Sequence, residues 1–435
     1  MEKILSVIKQ SINNPRVQVA LTIVLISLLY FITLSTVPFH PDETTDLYMS
    51  ENFDILFSNP LSIPYHQGQV IDSKTHYRLM DPPMISLYLG LARSITNSPP
   101  VTKDWDWTRN WNENIQQGNF PSSNTLFIGR LALLLLFPFT CYFLYLTAKH
   151  FLSHWISLFV TILFAINPLI LLHARHAMME AIFLFFITAI LVLLTDKKKH
   201  LVLLPIVFTL AINSKQTALF LLPAYIIHFV WSLCKSKKKE WIKLTAAYIF
   251  IPIAITFMLN PIAWSEPIPT IKAAIAERKL LMEGNQYFLE QNQSGRSQLN
   301  LFERMITIVY HTAYEPLAFD DVPNYREDQQ PSIDQYNKII YHNHSRNIIM
   351  GTMLVISIIT AILIQLFAFW KQRKSNFDEW FPWIYIYAGF FSSLIGLSIL
   401  SSIYQRYVII LIPFISLFLG WFLETIFKGS KKQPV

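Results

Sequence analysis

Charge is scarce in this chain: 14% of its 435 residues are Asp, Glu, Lys or Arg, against roughly a quarter in a soluble globular protein. That deficit excludes one large soluble enzyme, a disordered chain and a free nucleic-acid-binding protein. Glycine is sparse too, at 11 residues, which excludes collagen-like and flexible low-complexity arrays. Only two cysteines occur, Cys141 and Cys234, both in apolar stretches. They support neither a disulfide framework nor a zinc-type Cys/His spacing. What is abundant is apolar: 53% hydrophobic residues and a mean hydropathy of +0.37. Such a chain is an integral membrane protein.

A helix needs about 20 mostly apolar residues to cross the hydrocarbon core. Stretches of that kind occur near 17–38, 126–148, 153–173, 178–195, 218–234, 244–263, 347–370, 381–402 and 405–427. The piece near 201–213 is shorter and interrupted by Pro205. Counting it as a tenth span puts 18 of the 35 basic residues, but only six of the 28 acids, on the side of the N-terminus. That side is then +12 and the other −5. Short cytoplasmic loops rich in Lys and Arg are the usual orientation signal, so both termini are placed in the cytoplasm. Omitting the 201–213 span would send the KSKKKEW run outward while DKKKH stays inside. The basic runs read as topology signals at a lipid headgroup surface rather than nucleic-acid contacts.

The expected architecture is therefore all-α and polytopic, with about ten transmembrane helices and two long outer loops, roughly 39–125 and 264–346. It divides into an N-terminal membrane module with the first outer loop (1–263), a second outer loop or lid (264–346) and C-terminal membrane helices (347–435). Long connections of this kind are usually functional. The stretches 46–57 and 84–95 are amphipathic and suited to a membrane surface.

Ionisable groups at a membrane boundary need a partner or a task. Asp42 and Glu43 follow the first span in FHPDETTDLY. Arg78 and Asp81 stand before a double proline in YRLMDPPMI. His173, Arg175, His176 and Glu180 mark the turn LLHARHAMMEAIF, Lys215 lies in NSKQTALF, and Arg406 opens YQRYVIILIP. In the ten-span arrangement all of them face outward, whereas a proton or ion pathway needs groups at mid-depth. An acid such as Asp42 or Glu43 can act as a general base. Lys215, Arg175 and Arg406 can hold a phosphate. Read by themselves, His173 and His176 are better explained as satisfied interfacial histidines than as ligands. Trp155, Trp231, Trp241, Trp380, Trp383 and Trp421 read as interface belts.

At these residues the sequence resembles the polytopic GT-C glycosyltransferases that use polyprenyl-phosphate sugars, in particular protein O-mannosyltransferases and the aminoarabinose transferases that modify lipid A. HPDE at 40–43 is similar to their acidic pair after the first span, and DPPM at 81–84 to the motif closing their first outer loop. AR-HAMM-E at 174–180, SKQTALFLLP at 214–223 and RYVIILIP at 406–413 follow in the same order. The sequence departs from the family at Thr44 and Thr45, where aminoarabinose transferases have an Arg. It departs again at Asp81, where the two branches have Lys or His.

The resemblance implies an inverting transfer from a polyprenyl-phosphate sugar, at the outer face of the cell membrane, to a protein hydroxyl, lipid or glycan acceptor. Asp42 would be the base and Glu43 its neighbour. Asp81, Arg78, Arg175, His176, Glu180, Lys215 and Arg406 would bind substrate. No metal is required in these branches; a divalent cation on Asp42, Asp81 and Glu180 is the arrangement other members of the superfamily would suggest. Two other readings stand beside this one. One is an inactive partner subunit of the same architecture. The other is a lipid or sugar transporter, which would call for midplane substrate groups, broken helices and repeated halves.

Overall fold

The computed structural model describes residues 13–196, 200, 202–292, 299–319, 325–342, 346–372, 377–400 and 403–429. Of the 18 basic residues counted on the side of the N-terminus, Lys3, Lys9, Lys197–Lys199, Arg373, Lys374, Lys431 and Lys432 lie outside the described residues.

The described chain is helical throughout. α1 (Pro15–Ile32) leads into the first of the two loops expected to be outer, the first outer region, which folds as short helices: α2 (Pro41–Met49), α3 (Glu51–Ser58), α4 (Ser73–Met80), α5 (Met84–Ile95) and α6 (Trp111–Gln116). The membrane helices continue as α7 (Ser123–Leu134), α8 (Phe137–Phe151), α9 (His154–Ala165), α10 (Pro168–His173), α11 (Met179–Thr195), α12 (Leu203–Ile212), α13 (Leu222–Lys235) and α14 (Lys238–Leu259). The second outer region holds α15 (Pro267–Asn292), α16 (Leu301–Ala313) and α17 (Arg326–Asn337). Three further helices close the chain: α18 (Ile348–Gln372), α19 (Phe377–Ile399) and α20 (Ile412–Gly429). Two 3₁₀ turns, Gln216–Leu221 and Gln405–Leu411, lead into α13 and α20.

Among the described residues seven helical stretches are long and apolar enough to cross a membrane: 15–32, 123–151, 216–235, 238–259, 348–370, 380–399 and 405–427. The shorter apolar helices α9, α11 and α12 coincide with the other three expected spans. Pro205 is tolerated in α12 because it falls in the first turn, where the amide it lacks has no helical acceptor. The fourth short apolar helix, α5, belongs to the amphipathic stretch at 84–95 and packs on α3 and α7.

α11 is the hub of the core. Fourteen of its 17 residues are buried, and it packs against α8, α12 and α19. A helix apolar all round must be enclosed on every side. α1, α14 and α18 instead expose one apolar face each, including Leu25, Ile253 and Ile359, as helices facing lipid do. Gly129 lets α7 approach the neighbouring chain closely: a Cβ there would meet the Leu47 side chain at 3.0 Å and Ala177 at 3.1 Å.

The two outer regions are laced together. Gln67 N–H donates to Glu266 Oε2 (3.1 Å), His76 meets Glu277 (2.6 Å), and Arg278 donates to Met80 O (2.6 Å). The second outer region is therefore helical and packed down on its neighbours; α16 lies against α18, α19 and the 405–411 turn.

Candidate active site

The geometry begins with the first turn of α2. His40 is its N-cap: the ring Nδ1 accepts from Asp42 N–H (3.2 Å), and Glu43 Oε2 accepts from His40 N–H (3.1 Å). Pro41 occupies the first helical position. Proline pre-sets the backbone there, and two acids in the first turn suit the positive end of the helix dipole. The HPDE segment is thus a helix start that aims two adjacent carboxylates in different directions.

Glu43 points inward and is fully buried. Its Oε1 accepts from Arg130 Nε (2.8 Å) and Ala177 N–H (2.7 Å), and its Oε2 from Arg130 Nη2 (2.7 Å). Arg130 also donates to the carbonyls of Val37 (2.9 Å), Pro38 (3.3 Å) and Leu34 (3.4 Å). Burial alone would raise the Glu43 carboxyl; Arg130 outweighs it and holds the group at about 2. With every lone pair directed at the protein, Glu43 joins the first span to α7 and α11.

Asp42 points the other way. Its Oδ2 lies 2.6 Å from Arg406 Nη1, and the same guanidinium nitrogen lies 3.8 Å from Glu180 Oε1. Glu180, fully buried in the first turn of α11, is also ion-paired with Lys215. The Lys215 ammonium sits 5.0 Å above the Tyr407 ring. Four segments far apart in sequence therefore deliver two acids and two bases to one place. Burial opposes ionisation of Asp42, but Arg406 and then His40 prevail and lower its pKa below the usual carboxylate value.

One turn further along α2, Asp46 is 7% exposed, and its Oδ2 has no hydrogen-bond partner among the described residues. Burial, reinforced by Asp42, Asp81 and Glu180, pushes its carboxyl well above the ordinary range. Asp81 caps the end of α4; burial raises it to about 6 despite the Arg278 guanidinium. Asp46, Asp81, Tyr77, Arg78, Asn52 and Asn260 line a cleft of about 540 Å³, open mouth included, with apolar walls from Met49, Pro83, Ile85 and Ile262. Tyr77 is held by its hydroxyl on Asp104 (2.6 Å), which also accepts from Thr45 (2.8 Å). Arg78 Nε donates to Asn52 Oδ1 (2.8 Å).

Two of the residues singled out in the sequence are placed elsewhere. Arg175 is fully buried. Its guanidinium donates to Leu171 O (2.5 Å), Thr33, the Tyr336 hydroxyl (3.2 Å) and His342 Nε2 (3.2 Å). Those contacts fasten α17 to the first span and leave no donors for a substrate phosphate. His176 Nε2 donates to Pro38 O (3.0 Å), and burial lowers its pKa to about 4. His173 packs beside it, ring centroids 5.6 Å apart. Asp42, Asp81 and Glu180 do not converge as ligands: among the described residues no group of three or more His, Cys, Asp or Glu side chains is placed to hold a metal ion.

Arg130, Asp46 and Asp104 were not among the residues the sequence singled out. Arg130 had a readable signal, a lone cation in the apolar run IGRLALLLL that demands a buried partner. Asp46 had a weaker one, four residues after Asp42 and hence on the same helix face. Asp104 had none.

A family profile for dolichyl-phosphate-mannose-protein mannosyltransferases matches residues 122–264. No curated protein matches the chain in sequence. Among solved structures, the Archaeoglobus fulgidus oligosaccharyltransferase AglB, in complex with an inhibitory peptide and a dolichol-phosphate, gives a TM-score of 0.51 at 12% identity, over 95% of this chain and 50% of that one. ArnT from Cupriavidus metallidurans, bound to undecaprenyl phosphate, gives 0.49 at 12% identity, over 93% and 60%. The S. cerevisiae protein O-mannosyltransferase Pmt1–Pmt2 complex, bound to the sugar donor, gives 0.38 at 16% identity, over 58% and 34%. The chain thus spans about a third to three fifths of the length of the structures it matches. The resemblance to GT-C glycosyltransferases expected from the motifs is borne out, and so is the all-α membrane fold.

Proposed function

We propose that this protein is a membrane glycosyltransferase that moves a sugar from a polyprenyl-phosphate carrier to a nucleophilic acceptor, with inversion. The observation that carries the reading is the meeting of Asp42, Arg406, Glu180 and Lys215 beside the Asp46–Asp81 cleft. Arg406 and Lys215 hold the lipid phosphate, and the cleft takes the sugar. Asp42, one helical turn from Asp46, accepts the acceptor's proton as its oxygen attacks the anomeric carbon. The bond from that carbon to the phosphate oxygen breaks, and the carrier leaves as a phosphate anion stabilised by the two cations. A phosphate on Arg406 competes with Asp42 for the guanidinium, which relieves the clamp that depresses the carboxylate and makes it a better base. Glu43 and Arg130 position the first turn of α2 and touch no reactant. The family profile and the ligands named for the structural neighbours favour this reading over a transporter.

The test is transfer by the purified protein in lipid, using a panel of polyprenyl-phosphate sugars and following release of polyprenyl phosphate and the anomeric configuration of the product. The wild type is expected to release carrier with at least one donor, and Asp42→Asn to lose the activity by about 10²- to 10⁴-fold. Full activity of Asp42→Asn refutes the base assignment. No carrier release or phosphoprenyl-lipid binding by the wild type refutes the enzyme reading and favours an inactive partner subunit.

A further inference from the structure

The 3₁₀ turn bearing Arg406 is gripped on its polar side by the second outer region. Gln405, its first residue, is 4% exposed. Its Nε2 donates to Pro316 O (2.8 Å) and Glu315 Oε2 (3.0 Å), while its Oε1 accepts from Ala318 N–H (2.8 Å). Glu315 is bonded in turn by His311 Nδ1, one turn earlier on the α16 side. Arg346 donates to the carbonyls of Glu315 (2.5 Å) and His311. Two more contacts hold the chain just before the turn: His311 Nε2 to Ile403 O (3.2 Å) and Arg304 Nη1 to Leu400 O (2.7 Å).

Both polar ends of a buried glutamine are thus satisfied by one short stretch, residues 315–318. A network of this kind resists displacement, because freeing one member leaves buried donors and acceptors unpaired. The apolar side of the turn, Val408 to Leu411, is buried in the hydrophobic core of the protein. Held from both sides, the backbone at 405–406 has little freedom. A 1 Å shift in a residue that clamps a substrate matters for binding and rate.

We infer that Gln405 is a positioning residue for Arg406, and that residues 311–318 of the second outer region set the guanidinium in its place between Asp42 and Glu180. The second outer region then serves the site without touching a substrate. In its bearing on phosphate capture this inference rests on the function proposed above.

The experiment uses the full chain and the near-isosteric change Gln405→Met, which keeps bulk and removes the side-chain hydrogen bonds to residues 315–318. Undecaprenyl monophosphate binding is titrated in detergent micelles for the wild type, Q405M, R406A and the double variant, with thermal unfolding measured beside each. Q405M is expected to bind about tenfold more weakly, a coupling of about 1.4 kcal/mol. The double variant should bind no more weakly than R406A alone, since a residue acting through Arg406 has nothing left to position. An equal loss in the R406A background, or no loss at all, overturns the inference. A cryo-EM structure of Q405M tests the same point without a ligand: the Arg406–Asp42 contact should open beyond hydrogen-bond range, and its persistence near 2.6 Å overturns the inference. A wild type that binds no phosphoprenyl lipid, with the contact opened in Q405M, refutes the proposed function while leaving the positioning role standing.

Discussion

Asp42 and Glu43 are neighbours in sequence, yet their substitution should fail in different ways. Removing Arg130 as Arg130→Ala leaves the fully buried Glu43 carboxylate without its cation. Breaking a buried pair from one side costs about 3–5 kcal/mol. An ordinary buried ion pair can be replaced by apolar residues with little loss, so Glu43→Ala/Arg130→Ala would be expected to recover stability. Here it should not. The pair also satisfies the carbonyls of Leu34, Val37 and Pro38 and the N–H groups of His40 and Ala177. Pro38 O keeps His176 Nε2 (3.0 Å), but the other four backbone groups lose their partners, and at about 1 kcal/mol or more each they match the penalty of the single change. Asp42 is different: its side chain is 27% exposed, and Arg406 still has Glu180 3.8 Å away when Asp42 is neutralised, so Asp42→Asn should change stability by about 1 kcal/mol. The assay is unfolding by SDS in mixed micelles, followed by far-UV circular dichroism, with transfer activity measured on the folded fraction. A double variant as stable as the wild type, or Asp42→Asn as unstable as Arg130→Ala, refutes this account.

Further outcomes concern charge. Replacing Arg406 with Gln leaves burial of Asp42 opposed mainly by His40, so the acid limb of the pH–activity profile should move upward; an unmoved limb means that Asp42 is not the titrating base. Asp81 binds its proton more tightly in the folded protein, at about 6 against an ordinary 3.8. Its contribution to stability is therefore full below about pH 4 and is lost as pH rises through about 6. Asp81→Asn should flatten that decline, as measured by unfolding from pH 4 to 7. Glu43 has the opposite sign: held at about 2 against 4.5, it stabilises above pH 4.5 and ceases to as pH falls toward 2. Arg175→Ala should release α17, seen as faster amide hydrogen exchange at 326–337 while α11 stays protected; uniform protection across α17 would contradict the latch.

Much of the membrane architecture was legible because the bilayer imposes a length and a hydropathy that local sequence must meet. In the 201–213 segment, charge on either side argued for a span that its length alone did not, and a ten-residue apolar helix, α12, lies there. Two shortcomings have equally physical causes. The second outer region reads as a polar lid, yet it forms three helices packed against the first outer region and the 405–411 turn. Its short amphipathic helices carry a weak periodic signal, and tertiary contacts supply most of their stability. Arg175 reads as a phosphate ligand because a cation at a span end needs a partner. Which partner it finds, here Tyr336, His342 and a carbonyl, depends on residues about 160 positions away.

What the sequence by itself determined is the class of protein, the ten apolar stretches and the ionisable residues that stand at their ends. Each is a property of a single segment meeting lipid or water. Only the tertiary structure decided how the charges divide. It turned Glu43 inward to Arg130 and Asp42 outward to Arg406, and it joined Glu180 to Lys215. It also placed Asp46 beside Asp81 in one cleft, with no hydrogen-bond partner for its Oδ2 among the described residues. The physical reason is that the energy of a buried charge is set by the neighbours within a few ångströms, and packing alone selects those neighbours.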